Sequence, residues 1–403
     1  MFKKTALCFL IITSLILNLF AIPAFAAPIE EAFSTVTVAK LAEKTDLSDL
    51  KAKSAVLMDA NTGTVLFDKN SHEKLPFASV TKVMTMLLVM EAIDSGKVNY
   101  DDQVPVSIHA YEMGGSQIDL DPREVFSVHD LLKALAIQSA NDAAVALAEK
   151  VAGSEEAFVQ KMNEKAAQLG MKNTKFLDSN GLTDEGHYSS AYDIALMSRE
   201  LISKHPDIIK YSSTWHETIR DGKTTLDNTN KLIKFYDGCD GLKTGFTTKA
   251  GFCLSATAKR NDMRLISVVL GAPNSNTRFA ETRKLLDTGF KNYIVSILNK
   301  KGEEVTDVEI KKGLKTSVKG IYKEDARFLL EKGDHGKIEH EVKIQENITA
   351  PLKAGQKIGE VLYKVGDKEI GKAEIVAESD VDKASVIRLF FRMVVSWFSL
   401  GRK

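Results

Sequence analysis

An α/β domain, then a small all-β domain and an amphipathic C-terminal helix, is the architecture this sequence predicts. Strand-like segments open and close a long helical stretch, short alternating runs replace the helical periods after Tyr293, and the last residues are apolar and basic with no acid. At 403 residues, 44% of them hydrophobic and 27% charged, the chain can bury more than one core.

The chain begins with Lys3 and Lys4, an apolar run over 6–20 and the small-x-small triplet Ala24-Phe25-Ala26. This is the form of an export signal over residues 1–26, and the apolar run is short for a membrane span. Residues 27–293 make up the predicted α/β domain. Segments 55–59 and 64–67 flank a turn at Asn61-Thr62-Gly63 and read as a β-hairpin. Apolar residues at three- and four-residue spacing predict helices over 80–93, 128–151, 155–169 and 191–203. The period then changes to strands over 242–247, 252–258 and 264–270, followed by a helix over 278–286, so one sheet is expected to join the first and last segments. Residues 302–382 carry short alternating runs, such as 357–363 and 369–376, and are expected to form the small all-β domain.

Over 383–403, helical spacing puts Ser385, Arg388, Arg392, Ser396, Ser399 and Lys403 on one face and Val386, Leu389, Phe390, Met393, Trp397 and Leu400 on the other. A spanning helix would hold Arg388 and Arg392 in hydrocarbon at about 2.5–3.5 kcal/mol each. The segment therefore reads as a helix lying in an anionic headgroup plane, with a helix docked on the protein's own core as the alternative. Together with the leader, this predicts an exported protein held at the outer face of the cytoplasmic membrane.

Lysine plus arginine and aspartate plus glutamate each number 54, so no global field would recruit nucleic acid. Cys8 would leave with the signal. Cys239 and Cys253 are too few for a disulfide framework; they could bond if their strands are neighbours, and each otherwise reads as a small buried hydrophobe. The eight histidines are scattered, and the closest pair, His335 and His340, falls in the β region, so neither a metal nor another cofactor is expected.

In Phe77-Ala-Ser79-Val-Thr-Lys82 a serine and a lysine three apart open an apolar helix and share one face. A serine hydroxyl needs a neighbour to take its proton, and lysine can do so only if burial and a nearby cation depress its pKa. Ser71-His-Glu-Lys74 has the same spacing but sits in a polar loop, away from any helix N-terminus that would favour developing negative charge. Ser139-Ala-Asn141 follows, and then Lys243-Thr244-Gly245-Phe246 on a predicted strand. Lys223-Thr-Thr and Lys315-Thr-Ser lack the closing glycine that would let a substrate backbone approach.

Taken in order, these are the S-x-x-K, S-x-N and K-T-G elements of serine β-lactamases and penicillin-binding proteins. With 139–148, Asp178-Ser-Asn-Gly-Leu182, Tyr188-Ser-Ser-Ala191 and 241–247, nearly the whole mature chain resembles the low-molecular-mass D-alanyl-D-alanine carboxypeptidases. The resemblance implies a penicillin-binding, serine β-lactamase-like fold, an antiparallel sheet flanked by a helical region. It also implies removal of the terminal D-Ala from peptidoglycan stem peptides, with β-lactams as covalent inhibitors. Ser79 would be the acylated nucleophile, Lys82 its base and Ser139 the proton shuttle to the leaving amine. Asn141 would hold the substrate amide, Lys243 would lower the Lys82 pKa, and Thr244 and Arg278 would anchor the carboxylate. Gly245 would admit the substrate, and the N–H groups of Ser79 and Phe246 would bind the oxyanion. Against a class A β-lactamase, no E-x-x-x-N run follows Asn141. Against a β-lactam receptor, only the removable leader approaches a spanning helix.

Overall fold

The computed structural model describes residues 46–183, 185–334 and 336–400; the expected signal segment lies outside them. Strands β1 (Ser54–Asp59) and β2 (Val65–Lys69) form the expected hairpin. The helical region follows as α1 (Lys82–Asp94), α2 (Val128–Lys133), α3 (Asn141–Ala152), α4 (Glu155–Gln168) and α5 (Ala191–Lys204). Strands β3 (Cys239–Thr247), β4 (Gly251–Arg260) and β5 (Met263–Ala272) then lead into α6 (Ser275–Asn292).

The sheet runs β2-β1-β5-β4-β3, antiparallel throughout, and joins the first strands to the last through the register Val56↔Val268. Successive side chains of a strand face opposite ways, which divides the core in two. Val56, Met58, Ile266 and Val268 pack with the helical region, whereas Ala55, Leu57, Leu265 and Val269 pack with Leu285 and Leu286 of α6. Helix α1 is apolar nearly all round and is buried from Lys82 to Met90, as a helix at the centre of a core must be.

The helix expected over 128–151 is not continuous. After α2 the chain makes a π-helical turn, Ala134–Gln138, and then breaks at Ser139, whose φ of 66° is left-handed; α3 starts at Asn141. The break is held from outside: Asn141 N donates to the Ser116 carbonyl, and the Asp142 carboxylate accepts the N–H groups of Ile118 and Leu120. Apolar spacing carries no trace of such partners, so the pattern reads through the gap. Two short hairpins, pairing 103–105 with 125–127 and 216–219 with 224–227, were also not expected.

The β region begins with Tyr293 rather than near Gly302. Its strands are β6 (Tyr293–Asn299), β7 (Glu304–Glu309), β8 (Ser317–Tyr322), β9 (Ala326–Glu331), β10 (Ile338–Ile344), β11 (Lys357–Val365) and β12 (Lys368–Ala377). β6 pairs with β9, and the other five form a sheet in the order β7-β8-β12-β11-β10 around Phe328, Ile358, Val361 and Tyr363. Helix α7 (Val386–Leu400) closes the described chain. Its Arg392, expected among headgroups, donates to the carbonyls of Gly313 (2.7 Å) and Leu314 (2.5 Å), while Val386, Ile387, Phe390, Phe391, Met393, Val395 and Trp397 are exposed. Among the described residues, no helix is long and apolar enough to cross a membrane.

Candidate active site

Ser79 lies in a 3-10 turn, Ala78–Thr81, and Lys82 is the first residue of α1. Ser79 Oγ and Lys82 Nζ are 2.9 Å apart. The serine is half-buried and open to a substrate; the lysine is wholly buried. Its Nζ also donates to Asn141 Oδ1 at 2.6 Å and to the Asn180 carbonyl at 2.7 Å. Burial pushes the Lys82 pKa from 10.5 down to about 7, against the pull of the Asp178 and Asp142 carboxylates. Near neutral pH a large share of Lys82 is therefore the free amine that can take the serine proton.

The second S-x-x-K match is not loose, as the sequence implied. Ser71 is buried and its hydroxyl donates to the Asp68 carboxylate, while Lys74 points over the Tyr188 ring. That serine is held as a turn cap, away from its lysine.

Lys243 was expected to be the cation that depresses Lys82. Burial is the largest cause of the lowered pKa on both lysines. Lys243 is buried with one carbonyl acceptor, that of Thr244 at 3.1 Å, and burial lowers its pKa well below the ordinary value, helped by the charges of Lys82 and Arg278. Lys82 has two fixed acceptors and two carboxylates nearby, which favour its charged form, and burial is what lowers its pKa.

Asn141 faces the base: its Oδ1 accepts from Lys82, and one N–H of its Nδ2 donates to the Gly114 carbonyl at 2.6 Å, which leaves the second N–H of the amide. Ser139 sits at the break just before it, in a backbone conformation that few non-glycine residues adopt and that turns it out of the helix.

β3 is an edge strand, and it runs beside the Ser79 turn. A Cβ on Gly245 would come 2.6 Å from the Phe77 carbonyl and 3.1 Å from Ser79 N. Close approach by the protein's own turn therefore by itself requires this glycine. Thr244 Oγ1 donates to Thr229 Oγ1 at 2.7 Å, and Phe246 is exposed, its ring tilted against Phe252 at 4.3 Å. Arg278 is buried and does not pair with Glu281, whose carboxylate accepts the N–H groups of Lys51 and Ala52. Its guanidinium reaches the carbonyls of Gly245 (3.4 Å) and Cys253 (3.3 Å) weakly and leaves Nε without a protein partner. Burial lowers its pKa only to about 10, so it remains a cation with donor capacity to spare. Cys239 and Cys253 are both free and buried.

Sequence reasoning assigned no role to Thr229, Asn180 or Gly181. Asp178 accepts the N–H groups of Asn180, Gly181 and Thr183 and so shapes the loop that aims the Asn180 carbonyl at Lys82. A Cβ on Gly181, whose φ is +85°, would lie 2.1 Å from the Ala78 carbonyl. The Asp-Ser-Asn-Gly run signals a turn, and that signal was legible; its target was not.

A half-buried serine, a buried lysine of lowered pKa and an edge strand beside them make up the candidate active site. The D-alanyl-D-alanine carboxypeptidase family model matches residues 39–274, and that of the penicillin-binding protein 5 C-terminal domain matches 296–383. The chain is 46% identical over 351 residues to D-alanyl-D-alanine carboxypeptidase DacF of Bacillus subtilis, covering 86% of this chain and 90% of that relative. Among solved structures it resembles penicillin-binding protein 5 of Haemophilus influenzae, with a TM-score of 0.74 and 35% identity over 83% of this chain and 98% of that one. It also resembles penicillin-binding protein D2 of Listeria monocytogenes in its ampicillin-bound form, with a TM-score of 0.56 and 35% identity over 61% of this chain and 99% of that one. The protein belongs to the D-alanyl-D-alanine carboxypeptidase family of low-molecular-mass penicillin-binding proteins and is a peptidase.

Proposed function

We propose that the protein removes the terminal D-Ala from peptidoglycan stem pentapeptides through an acyl-enzyme on Ser79, and that penicillins acylate the same oxygen. The observation that carries this reading is the 2.9 Å contact between Ser79 Oγ and a buried lysine whose pKa is about 7. Neutral Lys82 takes the serine proton as Oγ attacks the carbonyl of the penultimate D-Ala. Negative charge on the carbonyl oxygen meets the N–H groups of Ser79 and Phe246. The proton then passes by way of Ser139 to the leaving D-Ala nitrogen, the C–N bond breaks, and water later hydrolyses the ester. The substrate carboxylate is anchored by the Arg278 guanidinium, a cation whose contacts to the Gly245 and Cys253 carbonyls are long, and by the hydroxyl of Thr244.

The same reading puts the protein at the outer face of the cytoplasmic membrane. It is supported by the leader pattern and by the exposed apolar side chains of α7. The deciding experiment incubates purified protein, wild type and Ser79→Ala, with a peptide ending in D-Ala-D-Ala and with a fluorescent penicillin. Wild type should release D-Ala and take the label; Ser79→Ala should do neither, and Ser71→Ala should do both. Label retained by Ser79→Ala would sink the mechanism.

A further inference from the structure

We propose that Glu155, which lies outside all three motifs, is a positioning residue: its carboxylate ties together the two loops that hold Lys82. It stands in the first turn of α4 with its side chain 12% exposed. Oε1 accepts both the N–H (2.9 Å) and the hydroxyl (2.5 Å) of Ser179, and Oε2 lies 2.6 Å from His109 Nε2.

Each partner leads to the base. Ser179 precedes Asn180, whose carbonyl accepts from Lys82, and the Ser179 carbonyl accepts the Thr85 hydroxyl at 2.5 Å, one turn further along α1. His109 belongs to a one-turn helix, Ile108–Tyr111, that leads to Gly114 and Ser116. Their carbonyls accept Asn141 Nδ2 (2.6 Å) and Asn141 N (2.7 Å), and Asn141 Oδ1 is the other fixed acceptor of Lys82. Two loops far apart in sequence thus trace to the two oxygens of one carboxylate. The bond with Glu155 also raises the His109 pKa, so the contact gains ionic character where the imidazole is protonated.

The plainer role for an acid in a first turn is to complement the helix dipole, which affects stability alone. Glu156 fills the same turn, is exposed and acts on His109 through charge alone, so it separates that contribution from the hydrogen bonds of the clamp.

The inference rests on Lys82 being the base for Ser79, and the test separates the two ideas. Acylation rate constants with a fluorescent penicillin, KM for a D-Ala-D-Ala peptide and melting temperatures are measured on the full-length protein and its variants. Glu155→Leu should acylate about tenfold or more slowly with KM little changed, since the carboxylate-binding groups are untouched, and 1 Å of misplacement costs about 100-fold. Ser179→Ala, which keeps the backbone bond, should lose less. Glu155→Gln should recover most of the rate, because an amide can accept from Ser179 and donate to His109. Glu156→Gln should match wild type. Wild-type acylation by Glu155→Leu, or an equal loss in Glu156→Gln, overturns the clamp. If Glu155→Leu does not fold, Ser179→Ala decides: a slowed rate at unchanged melting temperature supports the clamp, and an unchanged rate overturns it. A wild type that never labels overturns the reading of Ser79 itself, and the clamp with it.

Discussion

At Lys82, burial and hydrogen bonding act in opposite directions. Burial disfavours the ammonium, while the Asn141 and Asn180 oxygens and two nearby carboxylates favour it, and the balance falls at about 7. Because the free amine is the active form, protonation below that pH removes the base. Acylation of Ser79 should therefore rise with pH through about 7 and level off above it, and a flat profile from pH 5 to 9 would count against lysine as the base. Arginine cannot lose its proton, so Lys82→Arg should acylate about a thousandfold more slowly in stopped-flow labelling. Gly245 makes a steric demand of a different kind. With a Cβ 2.6 Å from the Phe77 carbonyl and 3.1 Å from Ser79 N, Gly245→Ala must push the nucleophile's turn away from β3. It should slow acylation about 100-fold while circular dichroism stays native; a near-native rate would show that the turn can yield.

Among the elements, the interrupted α2–α3 segment and helix α7 carry most of the consequence. In the first, a break in regular structure puts Asn141 beside Lys82, and the loop contributing Gly114 and Ser116 holds it open. In the second, Arg392 is tied to the carbonyls of Gly313 and Leu314, so the protein fixes part of the helix while a row of apolar side chains remains exposed. Truncation after Asp382 should abolish sedimentation with anionic vesicles and leave turnover of a soluble peptide unchanged, since the site residues from Ser79 to Arg278 all precede it. Raising the salt should weaken binding of the full chain without removing it, because ions screen the charges but not the apolar contact. Full-length protein that never sediments would refute the anchor.

For the molecule as a whole, the described residues form one compact unit built on three clusters of buried apolar side chains. Two lie against the faces of the first sheet and meet the site, and the third, around Phe328 and Tyr363, belongs to the β region alone. Across the junction Val295 and Leu329 pack against the core around Leu57 and Leu285, and an exposed ion pair, Arg327 to Asp262 at 3.5 Å, adds little. Because the β region also buries a core of its own, larger than that contact, calorimetry should resolve two unfolding transitions, only one of them raised by acylation with penicillin, since a bound acyl group stabilises the unit that holds it. A single transition that shifts as a whole would mean that the two regions unfold together.

Sequence alone determined the strand–helix–strand order, the hairpin, the β region and the motif residues around Ser79, Lys82, Ser139 and Lys243. Each of these is written in local spacing, which the periods of helix and strand make legible. What only the tertiary structure decided lies between segments distant along the chain. The helix over 128–151 was interrupted by partners from 116–120, and Asn141 was turned inward by Gly114. Gly245 was required by Phe77, and the pKa of Lys82 was set by its burial beside Asn180, Asp178 and Asp142. Hydrogen bonds and burial depend on which groups the folded chain brings together, and a sequence pattern records which residues are available without recording which of them meet.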